Sequence, residues 1–181
     1  MLLKEAERIE KDLRDRLLMM RKLSLVLDLD QTVLHATKDP ATERMIKGRT
    51  DIHRITFSEC EPGEVYYIKL RPGLESFLEA ISRLYELHVY TMGTKSYAQA
   101  VVRLFDPEGR LFYDRILSRD VAGVDGDQRK NLRRIFPVDD STVVIVDDRA
   151  DVWDYCDNLI PVPPCTTIDI FVPLLIVLSI G

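Results

Sequence analysis

Cysteine is scarce and badly spaced for chemistry. The three present, Cys60, Cys156 and Cys165, form no C-x-x-C pair, so the sequence suggests neither a disulfide framework nor a cysteine zinc site, and a reducing compartment is the simpler setting. A cysteine-dependent phosphatase needs an arginine at a fixed offset, C-x5-R. The positions where it would fall hold Tyr66, Val162 and Phe171, which excludes that chemistry. Histidine is equally sparse: His35, His53 and His88 have no metal-like partner at useful spacing and read as structural. An excess of positive charge is missing too. With 25 Lys and Arg against 30 Asp and Glu, the net charge is -5, unlike a general nucleic-acid binder, which relies on many cationic contacts to phosphate. An anionic substrate must then be held by local charge or by metal. The opening Met1–Arg21 alternates charged and apolar residues, so no signal peptide is read there. Repeats and low-complexity segments are absent.

What is present suits one globular domain. At 181 residues and 46% hydrophobic composition, the chain is long enough to bury a core. Residues 1–22 read as a solvated amphipathic helix, with Ala6, Ile9, Leu13, Leu17 and Met20 at helical spacing among charges. The run Leu23–Leu27 reads as a buried parallel strand ending at Asp28. Between Lys38 and Gly63 the sequence is polar and turn-rich, and 54–58 is expected to pair with 65–70 as a small sheet insertion. Arg71-Pro72-Gly73 opens a helix with Leu74, Phe77, Leu78, Ile81 and Leu84 on one face. A strand over 87–90, a helix over 96–105, a polar loop to Gln128, a basic helix over 129–136 and a strand over 143–146 follow. Strands alternating with helices predict a parallel α/β sheet, whose sites form at the carboxyl ends of the strands.

The chemistry-bearing residues sit at those ends. In Asp28-Leu29-Asp30-Gln31-Thr32, alternation along extended backbone puts Asp28 and Asp30 on one side and Leu29 on the other; the plain alternative is an Asp-rich turn satisfying loop backbone groups. Thr91 ends its strand with a hydroxyl suited to a phosphate oxygen, though Thr is also an ordinary strand residue. Lys130 would neutralise phosphate and carboxylate together, against the alternative of a solvated basic face shared with Arg129, Arg133 and Arg134. Asp147 and Asp148 follow an aliphatic strand directly, and their mutual repulsion asks for a cation. With oxygen donors and no Cys or His cluster, magnesium fits better than zinc.

The order of strand-end Asp-x-Asp-x-Thr, strand-end Thr, Lys and strand-end Asp-Asp resembles the haloacid dehalogenase superfamily of phosphotransferases. The longer strings Leu25-Val26-Leu27-Asp28-Leu29-Asp30-Gln31-Thr32, Lys69-Leu70-Arg71-Pro72-Gly73, Tyr90-Thr91-Met92-Gly93-Thr94 and Val146-Asp147-Asp148-Arg149 look like its FCP/SCP homology domain. Ile116-Leu117-Ser118-Arg119-Asp120, Leu132–Pro137 and Asp151-Val152-Trp153 are similar to the large, TFIIF-associated branch. The resemblance covers about residues 20–160. It implies a HAD-like Rossmannoid α/β fold, a parallel sheet flanked by helices with a small β insertion after the first strand.

The resemblance further implies a Mg2+-dependent protein serine/threonine phosphatase acting in the nucleus on the C-terminal repeat of RNA polymerase II, with TFIIF as a further partner and no membrane or direct nucleic-acid contact. Asp28 would be the nucleophile and Asp30 the general acid and base. Thr91 and Lys130 would bind phosphate. Mg2+ would sit among Asp28, the Asp30 carbonyl and Asp148, with Asp147 orienting the shell. Arg71 and Arg149 are secondary candidates for substrate contact or site support. Two rival readings are a catalytically silent binding module of the same fold, as in components of mitochondrial import, and a small-molecule phosphatase. The complete set Asp28, Asp30, Lys130 and Asp148 argues against the first, the insertion against the second. After Ile160 the sequence departs from the family; residues 161–181 read as a truncated or aberrant apolar tail, whose run Phe171–Leu178, broken by Pro173, falls short of the roughly twenty residues needed to span a bilayer. No BRCT domain of the large branch is present in the sequence.

Overall fold

The computed structural model describes residues 2–122 and 129–165; the tail run Phe171–Leu178 and the end of the polar loop up to Gln128 lie outside them. An N-terminal helix α1 (Leu2–Met19) leads into β1 (Leu23–Leu27). Next come β2 (Leu34–Thr37), the short α2 (Thr42–Met45), β3 (Ile52–Ile55) and β4 (Tyr66–Leu70). Then follow α3 (Leu74–Ile81), β5 (Tyr85–Tyr90), α4 (Lys95–Val102), β6 (Ile116–Leu117) and α5 (Arg119–Ala122). The strands β7 (Val143–Asp147) and β8 (Leu159–Pro161) complete the order.

Five strands form a parallel sheet in the order β6-β5-β1-β7-β8. The most apolar short run, Leu23–Leu27, occupies its centre because both of its edges are covered, Leu27 pairing with Val89 on one side and Val146 on the other. This centring decides the chemistry: the carboxyl ends of β5, β1 and β7 lie side by side, bringing Thr91, Asp28 and Asp147 together. Alternation divides the core. Leu25, Leu27, Leu87 and Val89 pack with Phe77 and Leu78 of α3 and Ala98 and Val101 of α4 on one face. On the other, Val26, Tyr90 and Ile145 pack with Leu132, Val152 and Trp153, from 3-10 turns at Leu132–Arg134 and Asp151–Trp153.

Several boundaries differ from expectation. The insertion is an antiparallel sheet β2-β4-β3, and its pairing partner for β4 begins at Ile52, with Ile52 opposite Lys69; Phe57 already belongs to a turn, its carbonyl accepting from Cys60 N at 3.0 Å. α3 stops at Ile81, leaving Leu84 59% exposed rather than on the buried face. The expected helix over 129–136 is one 3-10 turn. Lys130 lies before it, outside the turn, its N–H donating to the Val152 carbonyl at 2.8 Å. The boundary expected at 160 falls inside β8, and Val162 and Cys165 beyond it are buried. α1 is largely solvated, Ile9 and Leu13 being half exposed and Leu17 buried. Among the described residues no helix is long and apolar enough to cross a membrane.

Candidate active site

Asp28 leaves β1 still paired, its N–H donating to the Val146 carbonyl at 3.1 Å. One residue on, Leu29 is fully buried and anchors the turn: its carbonyl accepts from the N–H groups of Thr32, Val33 and Leu34. Between these anchors Asp30 is presented beside Asp28. Gln31 takes a left-handed conformation, φ 63°, which a non-glycine residue adopts only when its surroundings demand it. Here they do, since its N–H donates to Leu34 O at 2.8 Å and its carbonyl accepts from Cys165 N at 2.7 Å.

Lys130 is the hub of the pocket. Its ammonium lies 2.5 Å from Asp28 Oδ1 and 2.7 Å from Asp147 Oδ2, and all three residues are buried. Burial works against the lysine's charge, but the two carboxylates outweigh it and hold its pKa above the usual value. Burial likewise pushes the Asp28 carboxyl up, with Lys130 pulling back. Asp147 is further tied by the Trp153 indole N–H to Oδ2 at 2.8 Å and the Arg149 N–H to Oδ1 at 2.9 Å. Thr32 locks Asp148, accepting from its N–H at 3.0 Å while donating to Oδ1 at 3.1 Å. Burial and the neighbouring Asp147 raise the Asp148 carboxyl.

Oxygens of Asp28, Asp147 and Asp148 lie within 4.8 Å of one another. One lysine cannot neutralise three carboxylates so close together, and an all-oxygen donor set of this kind fits a hard divalent cation. Both oxygens of Asp147 already accept hydrogen bonds, so Asp28 and Asp148 have the coordinating capacity.

On the other side, Tyr97 of α4 donates its hydroxyl to Asp30 Oδ1 at 2.5 Å. Burial raises the Asp30 carboxyl, the Tyr97 bond opposing it. Thr94 caps α4, accepting from Tyr97 N at 3.3 Å, and so fixes where Tyr97 begins. Gly93 makes the approach possible: a Cβ there would stand 2.5 Å from the Tyr97 ring. Thr91 is buried, its N–H paired to Leu117 O at 2.9 Å and its hydroxyl accepting from Gly93 N at 3.0 Å. The pocket enclosed by these groups measures about 310 Å3.

Residues 23–169 match the family described as NLI interacting factor-like phosphatase. The chain belongs to that family. Among its members, the RNA polymerase II C-terminal domain phosphatase of Schizosaccharomyces pombe is 48% identical over 172 residues, covering 90% of this chain and 24% of the relative. The Homo sapiens phosphatase of the same description is 42% identical, covering 87% of this chain and 16% of its own. A solved structure described as Fcp1, an essential RNA polymerase II CTD phosphatase, superposes with a TM-score of 0.81 at 45% identity, over 90% of this chain and 48% of that one. A fission yeast Fcp1 variant bound to beryllium fluoride gives 0.80 at 44%, over 90% and 47%. The chain thus spans about a quarter of the fission yeast phosphatase and under half of either solved chain.

Of the residues that the sequence of this family member singles out, Asp28, Asp30, Thr91, Lys130, Asp147, Asp148 and Arg149 line the pocket. Arg149 does so half exposed and paired to Asp151 at 2.5 Å. Arg71 is not brought to the pocket. It is buried beneath the Asp28–Thr32 turn, donating to the carbonyls of Gln31 at 3.1 Å and Pro163 at 2.6 Å, and so supports the turn from behind. Sequence reasoning passed over Tyr97 and the Trp153 indole as site groups, and had Thr32 only as the last member of the Asp-x-Asp-x-Thr string, without its bonds to Asp148. The spacing of Tyr97 behind the Gly93-Thr94 cap was the available signal for the first.

Proposed function

We propose that this chain is the catalytic domain of a Mg2+-dependent protein serine/threonine phosphatase that acts on the phosphorylated C-terminal repeat of RNA polymerase II. The observation that carries this reading is the seating of Lys130 on Asp28 Oδ1: it holds one oxygen of the nucleophile and leaves Oδ2 to attack. Asp28 Oδ2 bonds to the phosphorus of phosphoserine as the P–Oγ bond breaks, and Asp30 gives a proton to the departing serine oxygen. Water then attacks the aspartyl phosphate, Asp30 takes its proton, and cleavage of the P–Oδ2 bond releases inorganic phosphate and restores Asp28. Two easier displacements replace one, with a single carboxyl serving as acid and then base. Tyr97, by occupying Asp30 Oδ1, assigns the proton to Oδ2. Lys130 and Thr91 bind the remaining phosphoryl oxygens. Mg2+, held by Asp28, Asp148 and the Asp30 carbonyl with Asp147 orienting the set, would supply further positive charge against the phosphoryl group.

A peptide substrate is favoured over a small molecule by the groove of about 480 Å3 that shares Asp30, Met92 and Gly93 with the pocket. The small sheet and α4 wall it, with the rings of Phe57, Tyr66 and Tyr97 5.0–5.6 Å apart and Lys38 and Arg119 at its margin. The names of the relatives supply the choice of the polymerase repeat, and with it the nucleus; TFIIF as a partner rests on the resemblance alone. A silent binding module would have no use for the full set of buried charges. The test is Mg2+-dependent phosphate release from a phosphoserine heptad-repeat peptide. Asp28→Asn and Asp30→Asn are each expected to abolish it, and retained activity in Asp28→Asn overturns the nucleophile assignment.

A further inference from the structure

At the far lip of the groove, the turn after β3 reaches across to the start of α4. Glu59, at the tip of that turn, joins the two walls. Its Oε1 accepts from Ser58 Oγ at 2.8 Å and from Ser96 Oγ at 2.5 Å, and its Oε2 accepts from Thr94 Oγ1 at 3.3 Å. The hydroxyls of Ser58 and Ser96 are themselves 2.9 Å apart. The carboxylate thus gathers three hydroxyls, two of them from the first turn of α4, where the helix dipole favours negative charge. These donors hold the carboxyl below its ordinary pKa. Inside this polar clasp, Phe57 rests against Tyr97 with ring centroids 5.6 Å apart, so the turn that Glu59 fastens carries an aromatic wall of the groove.

We infer that Glu59 is a specificity-determining positioning residue: it clasps the insertion onto α4 and preforms the groove for an extended phosphopeptide, while the phosphoryl pocket itself does not need it. This rests on the phosphopeptide reading above. A substrate with no peptide to lay in the groove gains nothing from the clasp; a peptide must otherwise order the turn at its own cost on binding. Glu59 touches no reacting atom, and the clasp is exposed, so its loss costs the fold little.

The test compares Glu59→Ala, Glu59→Gln, Ser96→Ala and the double Glu59→Ala/Ser96→Ala with wild type on two substrates, the phosphoserine heptad-repeat peptide and p-nitrophenyl phosphate. Loss of a charge-assisted contact predicts a KM for the peptide raised about five- to tenfold in Glu59→Ala, with kcat on either substrate unchanged. Glu59→Gln, which keeps an acceptor, is expected to rise less. The double variant is expected to match Glu59→Ala rather than to add Ser96→Ala to it, since both break one clasp. An unchanged peptide KM, or equal losses on both substrates, overturns the inference. Wild-type protein that hydrolyses p-nitrophenyl phosphate but not the peptide would count against the substrate reading alone. Amide exchange of the Phe57–Cys60 turn then decides the clasp: faster in Glu59→Ala supports it, unchanged overturns it.

Discussion

In the acidic pocket Asp28, Lys130 and Asp147 are 7%, 6% and 1% exposed, each is bonded to at least one of the others, and the two acids stand at the carboxyl ends of β1 and β7 while Lys130 reaches them from the chain before the Leu132–Arg134 turn. In the adjoining groove the polar contacts are exposed: Glu59 on the α4 hydroxyls, and Lys38 on Glu64 at 2.6 Å, sitting 4.6 Å above the Tyr66 ring. The first arrangement is rigid and charged at a high desolvation cost, as charge stabilisation of a phosphoryl group requires. The second is preformed by exposed contacts whose loss costs the fold little. The groove can therefore be altered with little change to the buried charges, the two regions meeting at Asp30, the Met92-Gly93 turn and Tyr97, which walls the groove and bonds Asp30.

The sharpest break in this contrast comes from Lys130→Met. It leaves two buried carboxylates facing each other, and removing one member of a buried charge set costs about 3–5 kcal/mol, measured by urea unfolding in chelator. Phosphate release from either substrate is expected to fall by about a thousandfold or more, as for loss of a principal electrostatic stabiliser. An intermediate effect is expected from Gly93→Ala, which acts on the boundary between the regions. The added methyl group would meet the Tyr97 ring at 2.5 Å, forcing the hydroxyl off Asp30. A kcat lowered about tenfold on both substrates, with stability lowered by about 1–3 kcal/mol, would place Asp30 under control of the groove helix; an unchanged kcat would separate them. The smallest effect belongs to Lys38→Ala. An exposed ion pair contributes little, so the peptide KM should change less than about threefold and the unfolding midpoint hardly at all.

The pocket was far more legible than the groove, for physical reasons. An apolar run that stops dead at an acid, as Val26-Leu27-Asp28 and Ile145-Val146-Asp147 do, announces a strand end carrying charge, and two such ends meet only if their strands are neighbours. Lys130 was identifiable from its place in that order, yet its helix was not real, because the pull of two carboxylates and a bond to Val152 outweighed the local propensity of 129–136. Tyr97 reads as an ordinary apolar position on α4, and its spacing behind the Gly93-Thr94 cap is the one local hint that its hydroxyl reaches Asp30. Glu59 is one acid among several in a turn; only the tertiary approach of α4 gives it partners. β8 was missed because Pro161 and Pro163 mask a strand that exists at the sheet edge, where proline is tolerated.

The turn that carries Asp28 and Asp30 is braced from far along the chain: Gln31 holds its left-handed shape while its carbonyl accepts from Cys165 N and from Arg71, which also grips Pro163. A nascent chain would therefore display Asp28, Asp30, Thr91, Lys130 and Asp148 while the Gln31 carbonyl was held by Arg71 but still lacked Cys165. The last brace on this turn would be set only when the segment after β8 has been made.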